Sequence, residues 1–216
     1  SGPMDRNFWI HVPGGAQKVH NNPELTWSYE AEGPQGTGRR IAATHGRVIG
    51  GSGSTNGMMI NRGSSMDFNR WTQFGNKGWS YAEVLPYFKR TERRIGYGDD
   101  RYRGRNGALP VVDNDWQHPL SSAFIESAVK LGLPRDRDHN GPNPDGVCTM
   151  QFNMFHGRRV SSARAFLHPA MHKNRSLTVR TNAHATRVLF EGRKAIGVRY
   201  APGGERGAEI DIRARR

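Results

Sequence analysis

A chain of 216 residues, 35% of them hydrophobic, can enclose one large domain or two small ones, though not a generous core. Its single cysteine, Cys148, excludes an intrachain disulfide and a multi-cysteine metal site. The net charge of +13 points either to a polyanionic partner or to a diffuse, solvated basic excess.

The diffuse reading is the better one, because the basic residues run along the whole chain as pairs such as Arg39-Arg40, Arg93-Arg94 and Arg158-Arg159. Only Arg213, Arg215 and Arg216 crowd together. No window approaches the length of about 18 apolar residues that crosses a bilayer. No basic region followed by an apolar run marks a signal peptide at the N-terminus. With one cysteine, a cytoplasmic setting is expected, with membrane association of the complete protein as the alternative.

In chain order, residues 1–40 read as loop, broken by the short strand Trp27-Ser28-Tyr29-Glu30 and a turn-rich stretch at Gly33, Pro34, Gly36 and Gly38. Residues 46–63 are glycine-rich and are preceded by a short apolar strand. A helix is expected from Ser64, with Asp67, Phe68, Trp71 and Phe74 at helical spacing. A second helix starts at the capping box Ser80-x-x-Glu83.

Leu109–Val112 reads as a strand. Leu120–Leu131 reads as an amphipathic helix, with Leu120, Phe124, Ile125, Ala128 and Leu131 on one face. Further strands are expected at Gly146–Phe155, Leu177–Arg180, Ala185–Phe190, Ala195–Tyr200 and Ala208–Ile212, with a short helix over Ser161–Met171.

The segment from Gly46 to Gly63 carries the most chemistry. Consecutive Gly and Ser residues expose backbone N–H groups and let a phosphate or a flat ring edge approach the main chain. No Lys-Ser or Lys-Thr follows the glycines, so it is not a P-loop. Asn56 stands where a dinucleotide fingerprint needs its third glycine.

The run Gly46-Arg47-x-Ile49-Gly50-Gly51-Ser52-Gly53-Ser54-x-Asn56, followed by Arg62-Gly63 and Asp67-x-x-x-Trp71, resembles the first signature of the glucose–methanol–choline oxidoreductases. The likeness continues through Gly78-Trp79-Ser80-Tyr81, Leu85-Pro86-Tyr87-Phe88, His118-Pro119-Leu120 and Asp138-His139-Asn140-Gly141. It extends through Gly157-Arg158-Arg159-x-Ser161-Ser162-Ala163 and Ala183-His184-Ala185-x-Arg187-Val188. These segments stand in the family's order over almost the whole chain.

The resemblance implies an α/β fold: part of an FAD-binding domain together with part of an α+β substrate domain with a β-sheet. Residues 1–190 would form the FAD-binding region without its first strand and Gly-x-Gly-x-x-Gly turn, and 191–216 a β-rich end returning toward that domain. Ser1-Gly2-Pro3 resembles the stretch after the family's second strand. The family's catalytic C-terminal domain is expected to be absent.

The implied activity is oxidation of the CH–OH group of a small alcohol, choline-like or aliphatic, with hydride transfer to FAD. Val48 and the loop Asn56, Gly57, Met58 and Met59 match positions that line the flavin and its phosphates. Ala185 matches a strand residue whose main chain meets the adenine edge. Some family members attach FAD through a His just before the loop Asn. Here that position is Thr55, so the implied FAD is non-covalent.

No catalytic residue and no metal ligand is assigned. His168 and His172 have metal-ligand spacing but lack a third partner. Asp136 and Asp138 read as solvated loop carboxylates. The electron acceptor is open, and no nucleic-acid partner is expected. The alternatives are a basic nucleic-acid-binding module using Trp9, Trp27 and Trp116, and an inactive truncated product.

Overall fold

The computed structural model of the chain describes residues 6–34, 38–142 and 145–214. Ser1, Gly2, Pro3, Gly36, Arg215 and Arg216, named above, lie outside them. Asn7 opens α1 (Phe8–His11) by accepting the Trp9 N–H at 3.0 Å. A turn of 3-10 helix then leads into α2 (Ala16–His20), so this stretch is helical where loop was expected. The cause is burial: Ile10, Val19 and Leu25 close on one another as a small core, at spacings that show no local period.

β1 (Thr26–Glu32) pairs antiparallel with β2 (Arg40–Gly46), with Thr26 opposite Gly46. The hairpin thus brings its two ends together, and the Arg47 N–H reaches the Leu25 carbonyl at 2.7 Å. The glycine-rich segment therefore begins beside the apolar cluster, and Val48 packs on it.

The two capped helices form as the sequence predicts. Ser64 caps α3 (Ser65–Gln73): its hydroxyl accepts the Asp67 N–H at 3.3 Å while the Asp67 carboxylate accepts the Ser64 N–H at 2.9 Å. Before α4 (Tyr81–Thr91), the Glu83 carboxylate accepts the Ser80 N–H at 3.0 Å. Phe68 is buried where they meet, with the rings of Trp71, Tyr81 and Phe88 at 5.3–6.1 Å.

β3 (Glu92–Arg94) follows α4 directly and pairs parallel with β4 (Leu109–Asp113). α5 (Pro119–Lys130) begins at His118, whose ring nitrogen accepts the Leu120 N–H at 3.2 Å. Of the expected apolar face of α5, only Ile125 and Ala128 are buried; Leu120, Phe124 and Leu131 are exposed.

β4 pairs antiparallel with β5 (Gln151–Phe152). Instead of one strand over Gly146–Phe155, there follow two further pieces, β6 (Met154–Phe155) and β7 (Arg158–Arg159), joined by a tight hairpin. Both residues of its turn, His156 and Gly157, have positive φ (48° and 68°), as a two-residue type I′ turn requires. The break has a local reason: Asn153 bonds away from the sheet, to Met58 through its N–H and to Val160 through its side chain.

A π-helical turn at Ala163–Leu167 runs into α6 (His168–Lys173). Leu177–Arg180, expected as a strand, joins no ladder. Arg180 instead donates to the Tyr200 hydroxyl at 2.7 Å. β8 (Ala183–Glu191), β9 (Lys194–Pro202) and β10 (Ile210–Arg213) form an antiparallel sheet in the order β8–β9–β10. Thr186 is the extra residue of a β-bulge, since Ala185 faces Tyr200 while Arg187 faces Arg199. The fold is thus the expected mixture of helices and small sheets.

Candidate cofactor site

The glycine-rich segment is a fixed turn. Gly51–Ser54 form a 3-10 helix, and the buried Ser54 hydroxyl donates to the Ile49 carbonyl at 2.8 Å. At Gly46 a Cβ would lie 2.4 Å from the Gly51 carbonyl oxygen. Gly50 has φ 86°, and a Cβ there would lie 2.5 Å from the Ser54 hydroxyl. Both positions therefore demand glycine for shape, and the segment cannot act as a loose linker.

A cleft of about 630 Å³ opens between the start of this turn and the sheet edge. Its walls include Trp27, Gly46, Arg47, Val48, Asn182 and His184. The Trp27 ring meets His184 at 5.5 Å, and the Arg47 guanidinium lies over Trp27 at 4.2 Å. β8 is an edge strand, so half of its main-chain N–H and C=O groups face away from β9. Such an edge can bond a planar heterocycle, and Arg47 can face anionic groups. These features fit the nucleotide end of a dinucleotide cofactor.

The named site residues divide into two groups. Val48 is on one wall of the cleft, and Ala185 is exposed on β8, next to the wall residue His184. Asn56, Gly57 and Met59 are exposed beyond the 3-10 turn and do not line this cleft. The Met58 side chain is buried at φ 64°. Its N–H is given to Asn56 Oδ1 at 3.0 Å, and its carbonyl accepts the Asn153 N–H at 3.1 Å.

Arg159 binds the same loop from behind. It is buried, and it donates to the Ile10 carbonyl at 2.9 Å, to Asn56 Oδ1 at 2.7 Å and to the Asn56 carbonyl at 2.6 Å. In the sequence it is half of an Arg-Arg pair taken for solvated charge. The same correction applies to Arg94, which is buried and meets Asp113 at 2.6 Å.

The chain leaving the loop is held by a buried ionic cluster. Glu92 accepts from Arg103 Nε at 2.8 Å and from Arg62 Nη2 at 2.5 Å, and Asp138 accepts from Arg103 Nη1 at 2.5 Å. Gln151 and Asn140 complete the cluster, and Asn140 Oδ1 accepts the Arg62 N–H at 2.9 Å. Asp138 is therefore buried, contrary to the expectation of a solvated carboxylate; Arg103, brought over by the β3–β4 connection, draws it inward. Burial lowers the Arg62 guanidinium from its ordinary value, and Glu92 opposes that shift. Nothing in the spacing of these residues reveals the cluster, because bonded partners within it are up to 78 positions apart.

A tight glycine turn, a cationic and aromatic cleft and a free strand edge stand together in this α/β segment. A family model described as GMC oxidoreductase matches residues 10–216. The chain belongs to the GMC oxidoreductase family, whose members are FAD-dependent flavoproteins.

It is 40% identical to an oxygen-dependent choline dehydrogenase of Rhizobium rhizogenes over 98% of this chain and 37% of that relative. It is 36% identical to one of Staphylococcus haemolyticus, over 92% of this chain and 35% of the relative. Among solved structures, pyridoxine 4-oxidase from Mesorbium loti superposes with a TM-score of 0.84 at 32% identity, covering 96% of this chain and 40% of that one. The chain thus spans somewhat over a third of the relatives it matches. Among the described residues, no helix is long and apolar enough to cross a membrane.

Proposed function

We propose that this chain is the FAD-side segment of an enzyme that oxidises the CH–OH group of a small alcohol, choline or a close aliphatic analogue. The observation that carries the reading is its ordered match, at 40% identity over 98% of its length, to an oxygen-dependent choline dehydrogenase. Residues 1–190 belong to the FAD-binding region, and 191–216 continue its β-rich end. The family's remaining catalytic part supplies the base, so no catalytic residue is placed here. FAD, when bound, accepts the hydride from the alcohol carbon.

The chain's own residues hold and orient the cofactor. Val48 gives the cleft an apolar wall, anchored on the Ile10, Val19 and Leu25 cluster. Ala185 serves through the free main chain of an edge strand, which tolerates a small side chain there. Asn56, Gly57 and Met59 offer an exposed loop against which the flavin and its phosphates lie. Met58 contributes by locking that loop, since its side chain and both of its main-chain polar groups are turned into the protein.

Non-covalent attachment follows from Thr55. It is buried, and its hydroxyl turns back to the Ser52 carbonyl at 3.5 Å. The complete polypeptide, expressed and precipitated with acid, should release its flavin into the supernatant, and before precipitation should reduce a dye acceptor with choline or an aliphatic alcohol. Yellow colour kept by the pellet would overturn the non-covalent assignment. A colourless protein would overturn the FAD reading, and a yellow one inert to every such alcohol would overturn the substrate class.

A further inference from the structure

The loop residue Asn56 is gripped from inside the protein. Arg159 Nη1 donates to its Oδ1 at 2.7 Å, and Nη2 donates to its carbonyl at 2.6 Å. The Met58 N–H donates to the same Oδ1 at 3.0 Å. An amide oxygen has two lone pairs, and here both are taken by donors. That fixes which way the carboxamide is turned, and Nδ2 is left on the other side. Asn56 is exposed, and no acceptor among the described residues meets Nδ2.

We propose that Arg159 is a positioning residue that fixes the Asn56 carboxamide so that Nδ2 faces outward as a hydrogen-bond donor to an acceptor atom of the cofactor. The inference rests on the FAD reading above and adds a residue that touches no cofactor itself. Two contacts from one planar guanidinium to one residue define an orientation, which a lysine ammonium cannot reproduce. The anchor is rigid because Arg159 Nε is also tied to the Ile10 carbonyl, 149 positions away. The same grip holds Met58 at its positive φ of 64°, a conformation that a bulky residue keeps only where its surroundings impose it.

The test uses the complete polypeptide that carries this segment, with FAD affinity, the visible flavin spectrum and the melting of the cofactor-free protein as readouts. Asn56→Asp keeps both acceptors for Arg159 and Met58 but removes the donor. It should melt no lower than the parent, yet bind FAD more weakly by about tenfold to a hundredfold, as expected for losing one strong hydrogen bond. Arg159→Gln should weaken FAD binding to a similar extent and alter the flavin band. Combined with Asn56→Asp, it should add little further loss, because the two residues act as one unit.

Lower melting of Arg159→Gln with unchanged affinity and spectrum, or fully additive losses, would overturn the proposal. If Arg159→Gln does not fold, Arg159→Lys, which keeps the charge but cannot fork, takes its place and should still show the spectral change. Failure of both to fold would make Arg159 a folding residue and overturn the positioning role. A parent that binds no FAD would sink this inference together with the reading beneath it. A parent that binds FAD, beside variants that bind it equally well, would sink the inference alone.

Discussion

Glu92→Gln separates charge from shape in the buried cluster. Glu92, Asp138, Arg62 and Arg103 carry two negative and two positive charges, all with side chains at most 6% exposed. Gln keeps the length of Glu but leaves one net positive charge buried, and it turns an amide N–H₂ toward a guanidinium. Breaking a buried pair in this way costs about 3–5 kcal/mol, a large share of a typical domain stability of about 5–15 kcal/mol.

Urea unfolding followed by circular dichroism should show the midpoint falling by at least about 1 M, given slopes of about 1–3 kcal/mol per molar. The control is Glu30→Gln, whose partner Arg40 is 79% exposed, where a loss within about 1 kcal/mol is expected. Adding Arg62→Met to Glu92→Gln removes the surplus charge and should recover part of the loss. A Glu92→Gln midpoint no lower than that of the Glu30 control would refute the reasoning.

Acid should loosen the helix starts. Asp67 and Glu83 have their carboxyls held below the ordinary values of 3.8 and 4.5, Asp67 chiefly by the Ser64 N–H and Glu83 chiefly by the Ser80 hydroxyl. A lowered folded-state value means stability that is present above the ordinary value and lost as pH falls through the folded one. Helicity followed from about pH 5 to pH 2 should therefore fall less steeply in an Asp67→Asn, Glu83→Gln variant than in the parent; superimposable curves would count against this.

Single-stranded DNA should leave tryptophan fluorescence unchanged at about 0.15 M salt. Lys18 already covers Trp9 at 3.6 Å and Arg47 covers Trp27 at 4.2 Å, which leaves Trp116 as the one largely exposed ring of the three candidate platforms. Saturable quenching with a Kd below about 1 µM would restore the nucleic-acid reading.

What the sequence discloses about this fold follows from how far apart the deciding residues are. Capping boxes act over three residues, so the starts of α3 and α4 are readable from Ser64, Asp67, Ser80 and Glu83 alone. The hairpin β8–β9 is announced by Glu191-Gly192 between two apolar runs, and Gly192 does adopt positive φ, 59°. The short helices α1 and α2 lack such a box; Asn7 caps α1 alone, and α2 has no side-chain cap. They form because Ile10, Val19 and Leu25 need one another, and the sequence between them is loop-like in composition. Leu177–Arg180 has strand composition but finds no neighbouring strand, and β-propensity without a partner does not make a ladder.

The cofactor site divides along the same line. The glycine segment stands out because close approach and positive φ restrict residue type at Gly46 and Gly50. Arg159 and the Arg62–Glu92–Arg103–Asp138 cluster are invisible locally, because a charged residue looks the same in sequence whether its partner is water or a carbonyl 149 positions away.

That difference also alters what the basic composition means. The net charge of +13 suggests a surface property, yet Arg94, Arg103 and Arg159 are among the most buried polar side chains of the molecule. An arginine so placed offers several donors in one plane and can tie together carbonyls and carboxylates of separate segments. Arg159 joins α1 to the loop around Asn56, and Arg103 joins β3 to the Asp138 segment and β5. With modest hydrophobic content and small sheets, the described residues gain part of their long-range connections from these forks. Arg159 holds the Gly53 end of the segment from Gly53 to Arg62, and Glu92 and Asn140 hold the Arg62 end, so the exposed loop at Asn56 and Gly57 is fixed at both sides while its outer face stays open to a ligand.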